Sequence, residues 1–269
     1  MKPLFAFAGA LVALQLLAAL FAPWIAPFDP LAQDVVQRLK GPNALHWLGT
    51  DQFGRDTFSR ILYGIRASLG VSAIAVGAAL LAGGAIGLAA AFYRGTIDRV
   101  LMRLMDVLFA FPVILLAIGI IAVLGPGAVT TAIAIGVVYT PIFARLLRGP
   151  ALSIVESDYV LAARSIGASD LRIVVLHVLP NLASIVLVQT SLLLSAAILV
   201  EASLSFLGLG TQPPVPSLGT MLAEGRNFLL LAPWTSVFAG AAILLLSFGL
   251  NLLGDVLRDM LDPRLRGSP

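Results

Sequence analysis

A chain of 269 residues that is 59% hydrophobic and 12% charged, with mean hydropathy +0.99, lacks the roughly 25% charge of a water-soluble domain, so its solvent is mostly lipid. The formal charge of +3 comes from 17 Lys+Arg scattered between apolar runs, without the basic stripe and interleaved aromatics of a nucleic-acid binder. Cysteine is absent, which excludes disulfides, thiolate nucleophiles and cysteine-ligated zinc.

A membrane helix needs about 20 mostly apolar residues to cross ~30 Å of hydrocarbon. Residues 3–28 carry no charge, and a first span over about 4–22 is ended by Pro23, Pro27 and Pro30. A cleaved signal peptide after Lys2 is the alternative. Against it stand the long apolar run and the lack of a clean small-x-small site. In the linker that follows, Thr50 or Asp51 can cap a helix carrying Phe53, Phe58, Ile61, Leu62 and Ile65 among Arg55, Arg60 and Arg66. Residues 49–66 thus predict a helix lying at the membrane interface, as an anchor, a gate or a contact for a binding protein.

The second span is predicted over about 68–92, where Gly83 and Gly87 have the small-xxx-small spacing of close helix packing beside Gly77 and Gly84. Residues 107–144 are uncharged, and Gly125-Pro126-Gly127 reads as a tight turn in their middle. The stretch predicts a hairpin of two spans, about 106–124 and 128–147, bent at Pro112 and Pro141. Two further spans fall at about 182–200 and 233–254, and the outer segment 201–232 is expected to cover the outer mouth. No closed-barrel alternation is visible, so the expected fold is an all-α integral membrane protein with six transmembrane helices. Residues 1–66 form an amino-terminal helix with its outer linker, and 67–269 form a five-helix core.

Positive charges favour the inner side. With the amino terminus inside, that side holds Lys2, Arg94, Arg99, Arg103, Arg145, Arg148, Arg164, Arg172, Arg258, Arg264 and Arg266. The outer side holds Arg38, Lys40, Arg55, Arg60, Arg66 and Arg226, so the bias places both termini inside.

No catalytic constellation is legible. His46 and His177 fall on opposite sides of the membrane, and Gly167-Ala168-Ser169 lacks the second glycine of a nucleophile elbow, having Leu171 there. A phosphate-binding loop needs Gly-Lys before Ser or Thr, but Lys2 precedes Pro3 and Lys40 precedes Gly41. If ATP drives the protein, another chain binds it; no cofactor or metal is expected in this one. Ion coupling would want carboxylates deep in the spans, whereas Asp106, Glu201 and Asp255 fall near span ends, where they reach water or cap helices. Gln189, with Thr190 and Ser191, is the most polar mid-span group and suits either a pathway lining or an interhelical hydrogen bond. Tyr139 and Pro141 are the other candidates for a pathway.

The inner loop, about 148–180, carries the strongest signal. Ser157 or Asp158 can cap a short helix in which Tyr159, Ala162, Ala163 and Ile166 share one face. Gly167 can take the left-handed conformation that ends it, and Ser169-Asp170 can cap a second helix carrying Leu171, Val174, Val175 and Val178. Ala162 and Ala163 give the first helix a small, flat patch that lets another protein approach closely.

Tyr159-Val-Leu-Ala-Ala-Arg-Ser-Ile-Gly167, followed by Ala168 and the distal Leu179-Pro180, resembles the Glu-Ala-Ala ("EAA") loop of bacterial ABC-importer permeases. Ala162, Ala163 and Gly167 match that motif, while Leu161 replaces its glutamate and removes any charge contact there. Leu48-Gly-Thr-Asp51-Gln-Phe-Gly-Arg-Asp56, Gly64-Ile-Arg66-Ala-Ser-Leu69, Arg103-Leu-Met-Asp106 to Phe111-Pro112, Ser205-Phe-Leu-Gly-Leu-Gly210 and Leu257-Arg-Asp-Met-Leu-Asp-Pro-Arg264 are similar to the C-type permeases of the dipeptide/oligopeptide/nickel family. The resemblance covers nearly the whole chain. It implies a type I (MetI-like) permease fold in the bacterial inner membrane. It also implies a homologous B-type permease that shares the pathway, and two cytoplasmic ATPase subunits docked on the inner loops. An extracytoplasmic binding protein would deliver short peptides, nickel complexes, glutathione or related solutes. The ATPase-coupling residues would be Asp158, Tyr159, Ala162, Ala163, Gly167, Ala168, Leu179 and Pro180. An ion-coupled secondary transporter is the rival class, and it would need deep carboxylates or broken helices in symmetric halves.

Overall fold

The computed structural model describes residues 2–261, which form helices and loops with no strand. Helix α1 (Lys2–Leu20) is followed by the single turn α2 (Ala22–Ile25), with Pro23 in its first turn, where a missing N–H costs nothing. A loop then leads to α3 (Thr57–Tyr93), α4 (Gly95–Phe109), α5 (Val113–Leu124) and α6 (Ala128–Val155). After α6 come α7 (Asp158–Ser165), α8 (Asp170–Ile173), α9 (Leu179–Phe206), α10 (Leu218–Arg226) and α11 (Trp234–Leu261). The end of the bundle that holds residues 148–180 is termed the inner end, following the charge distribution.

Four stretches are long and apolar enough to cross a membrane: Thr57–Tyr93, Ala128–Val155, Asp170–Phe206 and Trp234–Met260. The α4–α5 pair would make a fifth if it is counted as one broken span. α1 is apolar but shorter over its described side chains, Ala6–Leu20.

Several expectations are corrected. The helix predicted to lie at the interface over 49–66 is instead a loop as far as Asp56, followed by the first turns of α3, which runs unbroken to Tyr93. Asp56 caps it by accepting from Ser59 N at 2.8 Å, and Arg60, Ile61, Leu62 and Ile65 are buried inside the bundle rather than laid on lipid. The span predicted over 106–124 is likewise broken. α4 and α5 meet at 92° across Ala110–Pro112, and α5 has 12 residues, or ~18 Å, short of the ~30 Å of a crossing. Pro112 starts α5, because a proline cannot continue the ladder of a preceding helix.

The second inner helix also differs. It is the start of span five, since α8 continues through a five-residue π-helical segment, Val174–Val178, directly into α9. Pro180 explains the widened turn: it has no N–H to donate, and its ring would strike the carbonyl four residues back in an ordinary α-turn.

The core lies where α3 crosses α6. A methyl group on Gly83 would strike Thr140 O and one on Gly87 would strike Ala144 O, so the two backbones touch directly. Gly77, by contrast, has open space where a Cβ would stand. Polar bonds join α9 to α11: Ser195 Oγ meets Ser247 Oγ at 2.7 Å and accepts from Asn251 Nδ2 at 2.7 Å. Glu201 does not reach water. It is fully buried and accepts from Ser205 Oγ at 2.7 Å.

Candidate functional site

The inner surface is organised by α7. Ser157 occupies the cap position, but its hydroxyl turns back to donate to Ile154 O at 2.5 Å, and Asp158 sits in the first turn, where a carboxylate suits the positive helix end. Val160 is fully buried and joins Ala91 of α3, Leu147, Ala151 and Val155 of α6, Ile173 of α8, Val178, and Leu182 of α9 in one apolar cluster. α7 is therefore not a flexible loop; it is seated on the inner ends of three long helices.

The helix ends in a paired hydrogen-bond stop. Ala168 N donates to Ala163 O at 3.1 Å and Gly167 N donates to Arg164 O at 3.0 Å, with Gly167 at φ +86°. This is the Schellman arrangement, which needs a left-handed residue where glycine stands. Ser169 then caps α8 by accepting from Arg172 N at 3.4 Å. Arg164 lies over the Phe92 ring at 5.0 Å, Tyr159 meets His177 edge-on at 5.9 Å, and Arg94 pairs with Glu156 at 2.8 Å.

The face read from the sequence points outward. Tyr159 and Ala162 are exposed, Ala163 is half-buried, and Ile166 is 88% exposed, with Leu161 and Leu171 exposed beside them. Leu179 and Pro180 are exposed at the start of α9. An apolar surface on a rigid base, with two alanines at its centre, is suited to close contact with another protein. Of the pathway candidates, Tyr139 and Pro141 are buried within α6, Tyr139 in the main core against α3 and α9. Gln189 is half-buried on α9 and has no hydrogen-bond partner among the described residues.

The outer end carries a cluster that local sequence reasoning missed. Asp51, 1% exposed, accepts from Arg55 Nε at 2.6 Å and from Arg60 Nη1. Both guanidiniums also donate to Glu224 Oε2 of α10, each at 2.9 Å. Beside it His46 Nδ1 meets Asp56 at 2.9 Å, and Trp234 Nε1 of α11 donates to Thr50 O at 2.8 Å. These bonds tie the loop 49–56, the start of α3, α10 and α11 into one outer cap. Glu224 is the sole carboxylate of residues 202–254, which was the available signal that it answers a distant arginine.

Residues 83–267 match the family described as the binding-protein-dependent transport system inner membrane component, and residues 1–42 match the N-terminal TM domain of oligopeptide transport permease C. The chain belongs to the binding-protein-dependent transport permeases. The permease is 45% identical over 251 residues to the dipeptide transport system permease protein DppC of Alkalihalophilus pseudofirmus, covering 93% of this chain and 83% of that one. It is 47% identical over 263 residues to the glutathione transport system permease protein GsiD of Escherichia coli, covering 97% and 86%. A chain of the inward-facing MetNI methionine ABC transporter superposes with a TM-score of 0.61 at 16% identity, covering 76% of the permease and 97% of that chain. The fold is thus the MetI-like fold of ABC-importer permeases, and the sequence is that of a C-type subunit.

Proposed function

We propose that this permease forms half of the translocation pathway of an ATP-driven importer for short peptides or related small solutes such as glutathione. A homologous B-type permease forms the other half, an extracytoplasmic binding protein delivers the solute, and two cytoplasmic ATPase subunits bind and hydrolyse ATP. Substrate class is supported by relatives named for dipeptide and glutathione transport that align over nearly the whole chain. Coupling is assigned to α7. Its outward patch of Tyr159, Ala162, Ala163 and Ile166 docks in a groove of an ATPase subunit, and Gly167, Ala168, Leu179 and Pro180 join it to span five. The single observation that carries this reading is the burial of Val160 among the ends of α3, α6 and α9: a force on α7 reaches three membrane helices without slack. Gln189, half-buried on α9, and Tyr139 and Pro141, buried within α6, are retained as the pathway candidates.

The topology proposed with this function has six passages, counting α1 and the short α5, which reaches across together with its flanking turns 110–112 and 125–127, and both termini in the cytoplasm. It is tested by single-cysteine labelling, for which the native chain has no background thiol. A cysteine at exposed Ser169 is expected to be shielded from a membrane-impermeant reagent in intact cells, and one at exposed Gln33 or Gln212 is expected to react. Labelling of position 169 from outside contradicts the orientation.

A further inference from the structure

The most amphipathic element of the permease is α4, and the coupling assignment does not use it. Its buried side, around Leu101, Met102 and Met105, packs on α3 and α6. A second face is open among the described residues: Ile97, Val100, Leu104 and Val107 are 47–55% exposed and recur at helical spacing along one stripe. A third face carries Arg99 and Arg103, both exposed.

The two acids of this helix do not answer its own two arginines. Asp98 pairs with Arg148 at 2.5 Å and Asp106 pairs with Arg145 at 2.7 Å, so both acids of α4 are engaged by α6. Arg99 bonds only to Gly95 O and Thr96 Oγ1 of its own first turn, and neither Arg99 nor Arg103 meets a carboxylate among the described residues. The same two pairs fix the tilt. From Asp98 to Asp106 the helix advances ~12 Å, yet its partner moves only from Arg148 back to Arg145, ~4.5 Å along α6. α4 is therefore steeply inclined to α6, and it stands at 92° to α5.

We propose that α4 is an interfacial helix that binds anionic phospholipid of the inner leaflet. The apolar stripe sits among the acyl chains, and Arg99 and Arg103 bind headgroup phosphates. The two ion pairs to α6 hold it at the level where the bilayer meets water. A neutral bilayer would satisfy the stripe alone; the two unanswered arginines next to it are what select a negative headgroup. The proposal rests on the inner placement of residues 148–180, which the Ser169 labelling tests independently.

The test places a bimane fluorophore at Val100→Cys in the complete transporter, reconstituted in phosphatidylcholine–phosphatidylglycerol bilayers. Quenching by spin-labelled phosphatidylglycerol is compared with quenching by spin-labelled phosphatidylcholine. The phosphatidylglycerol probe is expected to quench at least about fivefold more effectively. Adding Arg99→Gln with Arg103→Gln is expected to bring the ratio to about one, while the corresponding lysine pair keeps the preference. Since both arginines are exposed, these variants leave the packed core intact. Equal quenching by the two lipids in the unmutated background overturns the headgroup assignment. Absence of quenching by either lipid overturns the proposal altogether, because the stripe is then covered by protein.

Discussion

Arg60→Met, made alone, destabilises the permease by about 3–5 kcal/mol, the loss expected when one partner of a buried ion pair is removed. Arg60 and Asp51 are each 1% exposed, so the substitution leaves the Asp51 carboxylate out of water with Arg55 as its remaining cation. It also halves the cationic contacts of Glu224, which hold α10 to the start of α3. At roughly 2–4 °C per kcal/mol, the thermal midpoint in detergent is expected to fall by about 6 °C or more. Glu224→Gln is expected to cost less, since its side chain is 21% exposed and water takes up part of the loss. Asp51→Asn combined with Arg60→Met is expected to recover part of the deficit, because the stranded negative charge is gone. A wild-type midpoint for Arg60→Met, or a larger loss for Glu224→Gln, contradicts the outer-cap account.

Gly167→Val abolishes coupling without abolishing assembly. Apart from its two chain neighbours, no atom lies within 4 Å of where a Cβ at Gly167 would stand, so the obstacle is the backbone conformation, φ +86°. That conformation costs a non-glycine residue ~1–2 kcal/mol, and a β-branched residue more, so the population with α7 correctly aimed falls about 5- to 30-fold or further. Gly167→Asn, which tolerates a left-handed backbone, is expected to retain most activity. Ala163→Trp acts differently, by holding the docked surfaces apart at a half-buried position in the alanine patch. Both Gly167→Val and Ala163→Trp are expected to reach the membrane at normal levels, to lose transport, and to show ATP turnover that no longer rises with loaded binding protein. Wild-type transport and stimulation in both variants would remove the coupling role from this loop.

The parts legible in the sequence are those set by local chemistry. Long uncharged runs located the starts of α6, α9 and α11 to within three residues, because lipid tolerates few other patterns there, while each helix runs six to eight residues past its predicted end. Within the inner loop, a serine before an acid, apolar residues at helical spacing and a following glycine predict a helix over 158–166 that stops at Gly167, and α7 runs over Asp158–Ser165 with Gly167 at positive φ. Most of the failures involve partners distant in the chain. Arg55 and Arg60 read as surface charges because Glu224, which answers them, lies 164 residues or more away. Glu201 read as a solvated helix end because the helices that bury it are not its neighbours in sequence. The break before Pro112 was foreseen only as a bend. Asp98 and Asp106 did not declare that they were held by α6, so α4 was left out of the helix count. Tyr139 and Pro141, read as candidates for a pathway, are buried within α6, Tyr139 in an apolar cluster shared with residues of α3 and α9.

The most direct test of the account is solute uptake by the complete transporter in proteoliposomes, with ATP trapped inside and loaded binding protein outside. Uptake is expected with ATP and no ion gradient, to stop when the trapped nucleotide is replaced by a non-hydrolysable analogue, and to be lost with Gly167→Val in this chain. Full-rate uptake driven by a proton or sodium gradient in the absence of nucleotide would contradict it.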